Sequence, residues 1–473
     1  MSNEKLPAKS NMAEWYQEVI ARAKLAEHAP VKGCMVIRPY GFAIWELIKE
    51  DLDKRFKRRG VQNACFPLFI PYSYLAREKE HVEGFSPEIA VVTHAGGQEL
   101  AEPLVVRPTS ETIIHESMRK WIQSYRDLPM RLNQWCNVVR WEKHPRLFLR
   151  SSEFFWQEGH TAHATEEEAR REALEMLDVY YDFCENVLAI PAVKGQKSEK
   201  ERFAGAEETY SFEALMPDGK ALQMGTSHYL GQNFSKMANV NFIDKDEQLK
   251  HVYMTSWGVS TRMIGGLIMS HGDDLGLVLP PKVAPVQVVI VPIGDTVEVA
   301  EKIKADLMNH DIRVEVDSRS DVRPGAKFYE HELRGVPVRL EIGAKELANG
   351  VVSYAIRHSG EKGQLQIGNL VDAISALLDK IQVDMLVNAK AKLADKVIYT
   401  EDKAEFLQLI EDQKGFISAP WCDEKECELA IKQQTTANTR NLPFDEQKNL
   451  KPGCTCVYCG KKAKKIAYFA KSY

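Results

Sequence analysis

Residues 138–160 read VVRWEKHPRLFLRSSEFFWQEGH. Two strand-like runs, 132–142 (LNQWCNVVRWE) and 152–164 (SEFFWQEGHTAHA), flank a basic loop, KHPRLFLRS. Alternating side chains on either side of such a loop predict a long antiparallel hairpin. Arg140 and Glu142 are two apart on the first run and so share one face of the predicted strand. An inward arginine and glutamate are costly unless they pair or meet a polar ligand. The loop adds Arg146 and Arg150, and guanidinium forks bind phosphate oxygens in pairs. A solvated basic hairpin has the same composition, so this pattern by itself leaves phosphate binding and plain solvation both open.

The segments around the hairpin point the same way. Residues 165–188 have apolar positions at helical spacing, and Thr165 and Glu168 form a capping-box pair. TYSFEALMPDGKALQMGTSHYL, residues 209–230, reads as a second hairpin turning at Asp218-Gly219. Long strands, long loops and few βαβ units predict an α+β catalytic domain over residues 1–283, with a mostly antiparallel sheet and flanking helices. In RPTSET (107–112), Thr109 and Glu111 place a hydroxyl beside a carboxylate, a pair that can hold an ammonium group. Thr109 or Ser110 serves equally well as N-cap of the helix that follows. Gly258 and Arg262 lie at the start of an apolar helix, where the dipole favours anions.

Prolines 280, 281 and 285 mark a linker. Beyond it strands at 286–291, 312–316, 336–342 and 351–356 alternate with helices at 297–309, 327–333 and 370–386, an α/β domain over 284–388. Residues 389–473 form a small α/β domain with a basic tail and hold five of the nine cysteines. Cys422 and Cys427 are spaced CxxxxC, and Cys456 and Cys459 CxxC. Two chelating knuckles make a closed tetrahedral zinc site of structural type, with Cys454 as the spare ligand.

The 473 residues are 44% hydrophobic and 27% charged, with a net charge of −5. That is too long a chain for one core, so two to four domains are expected. The mild acidity restricts nucleic-acid contact to local basic patches. The polar start, MSNEKLPAKSNMAEWYQEV, has no apolar h-region, and no apolar run approaches ~18 residues. A cytoplasmic chain with reduced thiols is expected.

These motifs together resemble the class II aminoacyl-tRNA synthetases. RRGVQNACFPLFIP (58–71) resembles motif 1, Arg140-Trp141-Glu142 with its hairpin motif 2, and Gly258 to Arg262 motif 3. Within the class, RPTSE, WQEGHTA, GTSHYLGQNF and GLVLPP are similar to the prolyl-tRNA synthetase family, of the type found in archaea, eukaryotes and some bacteria. The likeness covers essentially the whole chain. It implies joining of L-proline to ATP, with Mg, as prolyl-adenylate, then transfer to tRNA(Pro).

The resemblance also implies roles for residues. Thr109, Glu111 and Arg140 would meet the proline ammonium and carboxylate. Phe154, Trp156 and His228 would wall the ring, with His160, Ser256, Trp257 and Gly258 at the floor. Arg140, Glu142, Leu149, Arg150, Gln223, Thr226 and Arg262 would hold ATP. No side chain serves as covalent nucleophile, and His115, His144 and His271 are read as structural or surface residues. Residues 284–388 resemble an anticodon-binding domain, with Glu341 and Lys345 as candidate base contacts, although a salt-bridged strand end explains either residue equally well. The family's chain ends in a tyrosine whose carboxylate is drawn to the catalytic domain, a place Tyr473 would fill. The motif 1 resemblance implies a homodimer. The 119 positions between Glu142 and Arg262 leave no room for the editing domain of bacterial-type relatives. The nearest rivals are a threonine or serine enzyme of the same subclass, which in the first case needs a catalytic zinc in the pocket, and a non-catalytic tRNA-binding paralogue, in which a motif arginine is typically lost.

Overall fold

The computed structural model describes residues 5–77 and 89–473; the first four residues of the polar start lie outside it. The first unit is built on β1 (Gln62–Asn63), helix α1 (Glu111–Trp121), β2 (Met130–Val139), β3 (Glu153–His163), helix α2 (Glu166–Asn186), β4 (Ala192–Gln196), β5 (Glu208–Leu215), β6 (Ala221–Gly231), β7 (Tyr253–Ser260) and helix α3 (Arg262–His271). The second has β8 (Val288–Pro292), β9 (Val314–Val316), β10 (Val338–Ile342), β11 (Val351–Ile356), β12 (Lys362–Gln366) and the long helix α4 (Leu370–Ala394). The third has β13 (Val397–Tyr399), β14 (Phe416–Trp421), helix α5 (Lys425–Thr435), β15 (Asn438–Pro443) and β16 (Lys465–Ala470).

The predicted hairpin is β2–β3, antiparallel from Met130 opposite Ala162 to Val139 opposite Glu153. Its first strand ends three residues earlier than expected, at Val139, with one last bond beyond it from the Arg140 N–H to the Ser152 carbonyl at 2.8 Å. The cause is Ser152. Its N–H is spent on the Gly33 carbonyl at 2.7 Å, and its hydroxyl accepts from the Glu142 N–H at 3.1 Å. Arg140 and Glu142 therefore project from a splayed mouth and not from a regular pleat.

Helix α2 lies across the sheet. Thr165 caps it, accepting from the Glu168 N–H at 3.3 Å, and Ala169, Ala173, Met176, Leu177, Tyr180 and Phe183 form its buried stripe. Gly159 on β3 makes room for the core: a Cβ there would meet the Trp257 ring at 2.2 Å. That indole is packed against Phe56 and Tyr180.

One sheet of 11 strands runs β13-β14-β16-β15-β4-β5-β6-β7-β3-β2-β1 among the described residues. It joins the first and third units. Leu442 on β15 pairs with Gln196 and Pro443 with Gly195 on β4. Gly195 permits the approach, since a Cβ would meet the Leu442 carbonyl oxygen at 2.5 Å. The second unit is a separate five-stranded sheet, β9-β8-β10-β11-β12, parallel at β8 and its two neighbours and antiparallel beyond. Helix α4 extends eight residues past its expected end at Leu386, so position 388/389 falls inside a continuous helix. No glycine or proline interrupts it there.

Candidate active site

Pairing register aligns polar side chains in rows across the sheet. His160 on β3, Ser256 on β7, His228 on β6 and Thr209 on β5 are successive neighbours. The next row is Gln134, Glu158, Gly258, Thr226 and Ser211. Over these rows lies a cavity of about 210 Å³, closed at one side by Thr109 and Glu111 and by Arg140 and Trp156. Its volume is below the ~300 Å³ at which drug-sized sites begin. It suits a small ligand.

At one end, Arg107 pins the approach to α1. Its Nε donates to the Asn137 carbonyl at 2.9 Å and its Nη1 to the Phe66 carbonyl at 2.8 Å. Thr109 Oγ1 donates to the Glu111 carboxylate. Neither Thr109 nor Ser110 caps α1 with its side chain. Ser110 gives its N–H to Glu158 Oε2 at 3.1 Å and its hydroxyl to Glu158 Oε1 at 2.5 Å. Glu158 thus holds the first turn of α1, and with it the carboxylate of Glu111, over the pocket.

Beside it stands Arg140. Its Nε donates to the Pro108 carbonyl at 2.9 Å, and its guanidinium lies 5.1 Å from the Trp156 ring and 5.6 Å from Phe154. Phe154 touches Arg140 and Trp156 and is not part of the cavity lining. Further along, Arg262 Nε donates to the Leu149 carbonyl at 3.2 Å. Burial, then the charges of Arg150 and Arg140, push Arg262 down to about 10, the mark of a cationic cluster with too little negative charge of its own. Glu142 Oε1 accepts from the His144 N–H at 2.9 Å. Gln223 and Thr226 line the cavity floor.

The two pocket histidines differ. Burial pushes His228 down to about 4, so its ring is neutral at physiological pH, with Nδ1 3.0 Å from Thr209 Oγ1 and the Phe203 ring tilted against it at 4.6 Å. His160 lies 3.0 Å from Glu158; burial works against its charge, but Glu158 and Glu111 raise it above its ordinary value. Glu158 is its hydrogen-bond partner. A carboxylate, Glu111, and a guanidinium, Arg140, face the cavity together, with Lys197 and Glu201 as a second pair of opposite charge in its lining. That is the complement of a small zwitterion.

Of the expected floor residues, Ser256, Trp257 and Gly258 all line the cavity, and the Trp257 indole turns into the core behind it. Period-two alternation explains this, since 257 falls between two inward positions. Sequence reasoning passed over Glu158, Lys197, Glu201, Phe203 and Thr209, all of which line the cavity. Glu158 was legible, because it shares the inward face of β3 with Trp156 and His160. Lys197 and Glu201 lie in an irregular segment with no periodicity to reveal them.

Elsewhere, the Sγ atoms of Cys422, Cys427, Cys456 and Cys459 all lie within 4.8 Å of one another, without Cys454. Cys427 and Cys456 are 3.7 Å apart and Cys422 and Cys459 3.6 Å. A tetrahedron with Zn–S bonds of about 2.3 Å has edges of about 3.8 Å. The four thiols fit a zinc ion. A main-chain oxygen of Tyr473 accepts from Arg150 Nη2 at 3.1 Å, its hydroxyl donates to Asp218 at 2.7 Å, and its N–H reaches Ala221. Glu341 on β10 is bound to Arg339 at 3.0 Å, and Lys345 is exposed on the short helix Ala344–Ala348.

Comparison with known proteins agrees with this geometry. Residues 92–271 match the tRNA synthetase class II core domain (G, H, P, S and T), residues 287–377 an anticodon binding domain, and residues 403–473 the prolyl-tRNA synthetase C-terminal domain. The chain is 53% identical over 464 residues to proline–tRNA ligase 2 of Clostridioides difficile (strain 630), covering 97% of this chain and 96% of the relative. It is 52% identical over 470 residues to a proline–tRNA ligase of Alkaliphilus oremlandii (strain OhILAs), covering 99% and 97%. A proline–tRNA ligase of Amoebophilus asiaticus (strain 5a2) is 50% identical over the full length of both.

Proposed function

The chain belongs to the prolyl-tRNA synthetase family, and from that premise we propose how its pocket performs the family's reaction. It activates L-proline with ATP, releasing pyrophosphate, and transfers the prolyl group to the 3′-terminal adenosine of tRNA(Pro). One observation carries the reading of the pocket: a cavity of about 210 Å³ that sets the Glu111 carboxylate and the Arg140 guanidinium around the wall of Trp156.

The secondary ammonium of proline has two N–H donors. Glu111 and Thr109 accept them, and neutral His228 adds no repelling charge. Trp156 and Phe203 cover the ring, with Phe154 backing Arg140. Arg140 holds the proline carboxylate and the α-phosphate together, so the attacking oxygen and the phosphorus are placed before reaction. It then stabilises the charge that develops at phosphorus. Glu142 and the Leu149 main chain frame the adenine, Gln223 and Thr226 meet the nucleotide, and Arg150 and Arg262 hold its outer phosphates. Arg150 carries five donors, so one hydrogen bond to Tyr473 leaves others to serve phosphate. Mg accompanies the nucleotide as its counter-charge.

Three units follow from this: catalysis over 1–283, anticodon recognition over 284–388 with Glu341 and Lys345 as candidate contacts, and a zinc unit over 389–473. Zinc at Cys422, Cys427, Cys456 and Cys459 supplies folding energy to a unit with a small core. Phe69, Tyr72 and Trp121, large and exposed beside the motif 1 segment, offer a face for a second copy in a homodimer. No helix among the described residues is long and apolar enough to cross a membrane, and we place the enzyme in the cytoplasm with its tRNA. Charging with labelled proline tests the function: label is expected in tRNA(Pro) alone. Charging of another tRNA, or with threonine or serine in preference, would refute it.

A further inference from the structure

Three charged side chains lie in the seam where β15 meets the first unit. Lys197 Nζ donates to Glu213 Oε1 at 2.6 Å and to the Arg440 carbonyl at 2.6 Å. Arg440 grips Glu213 Oε2 through Nη2 at 2.8 Å and Nε at 3.2 Å. Glu213 is 0% exposed, and Lys197 and Arg440 are 6% each. Two cations around one anion are a poor way to stabilise a seam, because buried charges cost more to desolvate than their pairing returns, and apolar residues would hold it as well.

The cluster touches the pocket at two points. Lys197 itself lines the cavity. Glu213 is the cross-strand neighbour of Gln223, which lines it too. A second contact locks the same seam. Ser198 and Thr439, the neighbours of Lys197 and Arg440, both donate to the carboxylate of Glu428, with the Ser198 hydroxyl at 3.0 Å. Glu428 directly follows Cys427 of the cysteine cluster.

We propose that Arg440 is a positioning residue for the nucleotide: by holding Glu213, it sets the Lys197 ammonium and the Gln223 amide at the pocket. The inference rests on the reading of this cavity as the place where proline and ATP react. The third unit is then the back wall of the active site. Arg440 belongs to that unit, and the pairing of β15 with β4 brings it to Glu213 and so to the Lys197 that lines the cavity.

The test uses the full-length, zinc-loaded protein with Arg440→Met and Arg440→Lys, under proline-dependent ATP–pyrophosphate exchange. Zinc content and thermal unfolding are measured alongside. Arg440→Met is expected to raise KM for ATP about 10-fold or more while KM for proline stays within 2-fold. Arg440→Lys, which keeps the charge and loses the two-pronged grip, is expected to raise KM for ATP about 3-fold. A merely structural arginine would change both KM values alike or neither, and either result overturns the proposal. If Arg440→Met does not fold, Glu213→Gln is expected to show the same ATP-selective change, and its absence overturns the proposal equally. Absence of exchange by the wild-type protein would refute the reading of the pocket itself, and this inference with it.

Discussion

Replacing Arg140 by alanine is expected to lower kcat/KM for proline-dependent ATP–pyrophosphate exchange by about 10³-fold, roughly 4 kcal/mol of transition-state stabilisation. The guanidinium is braced before any substrate arrives. It is tied to the Pro108 carbonyl at 2.9 Å and lies against the rings of Trp156 and Phe154. A braced donor needs no reorganisation when charge develops on phosphorus, which is why its removal costs more than a surface ion pair would. The loss should fall on kcat as well as KM, because the contact strengthens in the transition state. Arg140→Lys should recover little, since an ammonium cannot present two parallel donors. An Arg140→Ala protein within 10-fold of wild type would mean that another group carries the charge.

The second large effect is expected at Glu111. Glu111→Gln keeps the shape of the side chain and the partner of Thr109, and it removes the charge that meets the ammonium. KM for proline should rise about 10²-fold, since losing one partner of a buried charge pair costs about 2–5 kcal/mol. KM for ATP should change little, because the contacts proposed for the nucleotide, Gln223 and Arg262 among them, do not include Glu111. Steady-state exchange at varied proline reads this directly. An unchanged KM for proline would show that the ammonium is held elsewhere. Glu158 cannot take over, as its oxygens are already bound by Ser110, Gln134 and His160.

Much of this was legible before any coordinates. The β2–β3 hairpin, helix α2 and the β5–β6 hairpin announce themselves through periodicity and through Asp218-Gly219, because each rests on neighbours in sequence. The cysteine knuckles were legible because chelate spacing is local, and the structure gathers the four expected thiols while leaving Cys454 aside. What stayed hidden depends on distant pairing. The end of β2 at Val139 is set by Ser152 and Gly33, partners that no local pattern links. The joining of β15 to β4 spans about 250 positions, so nothing in residues 192–196 or 438–443 advertised it. The third unit, read from sequence as a small α/β domain, shares its sheet with the first. Glu213 and Arg440 follow the same rule: each is an unremarkable charge until the seam brings them together.

The measurement that bears most directly on the pocket is ATP–pyrophosphate exchange by the purified wild-type protein with each of the twenty amino acids in turn. A pocket that pairs Glu111 with Arg140 and turns aromatic rings on the space between predicts exchange with proline far above all others. Exchange driven best by threonine, serine or any other amino acid, or by none, would contradict it.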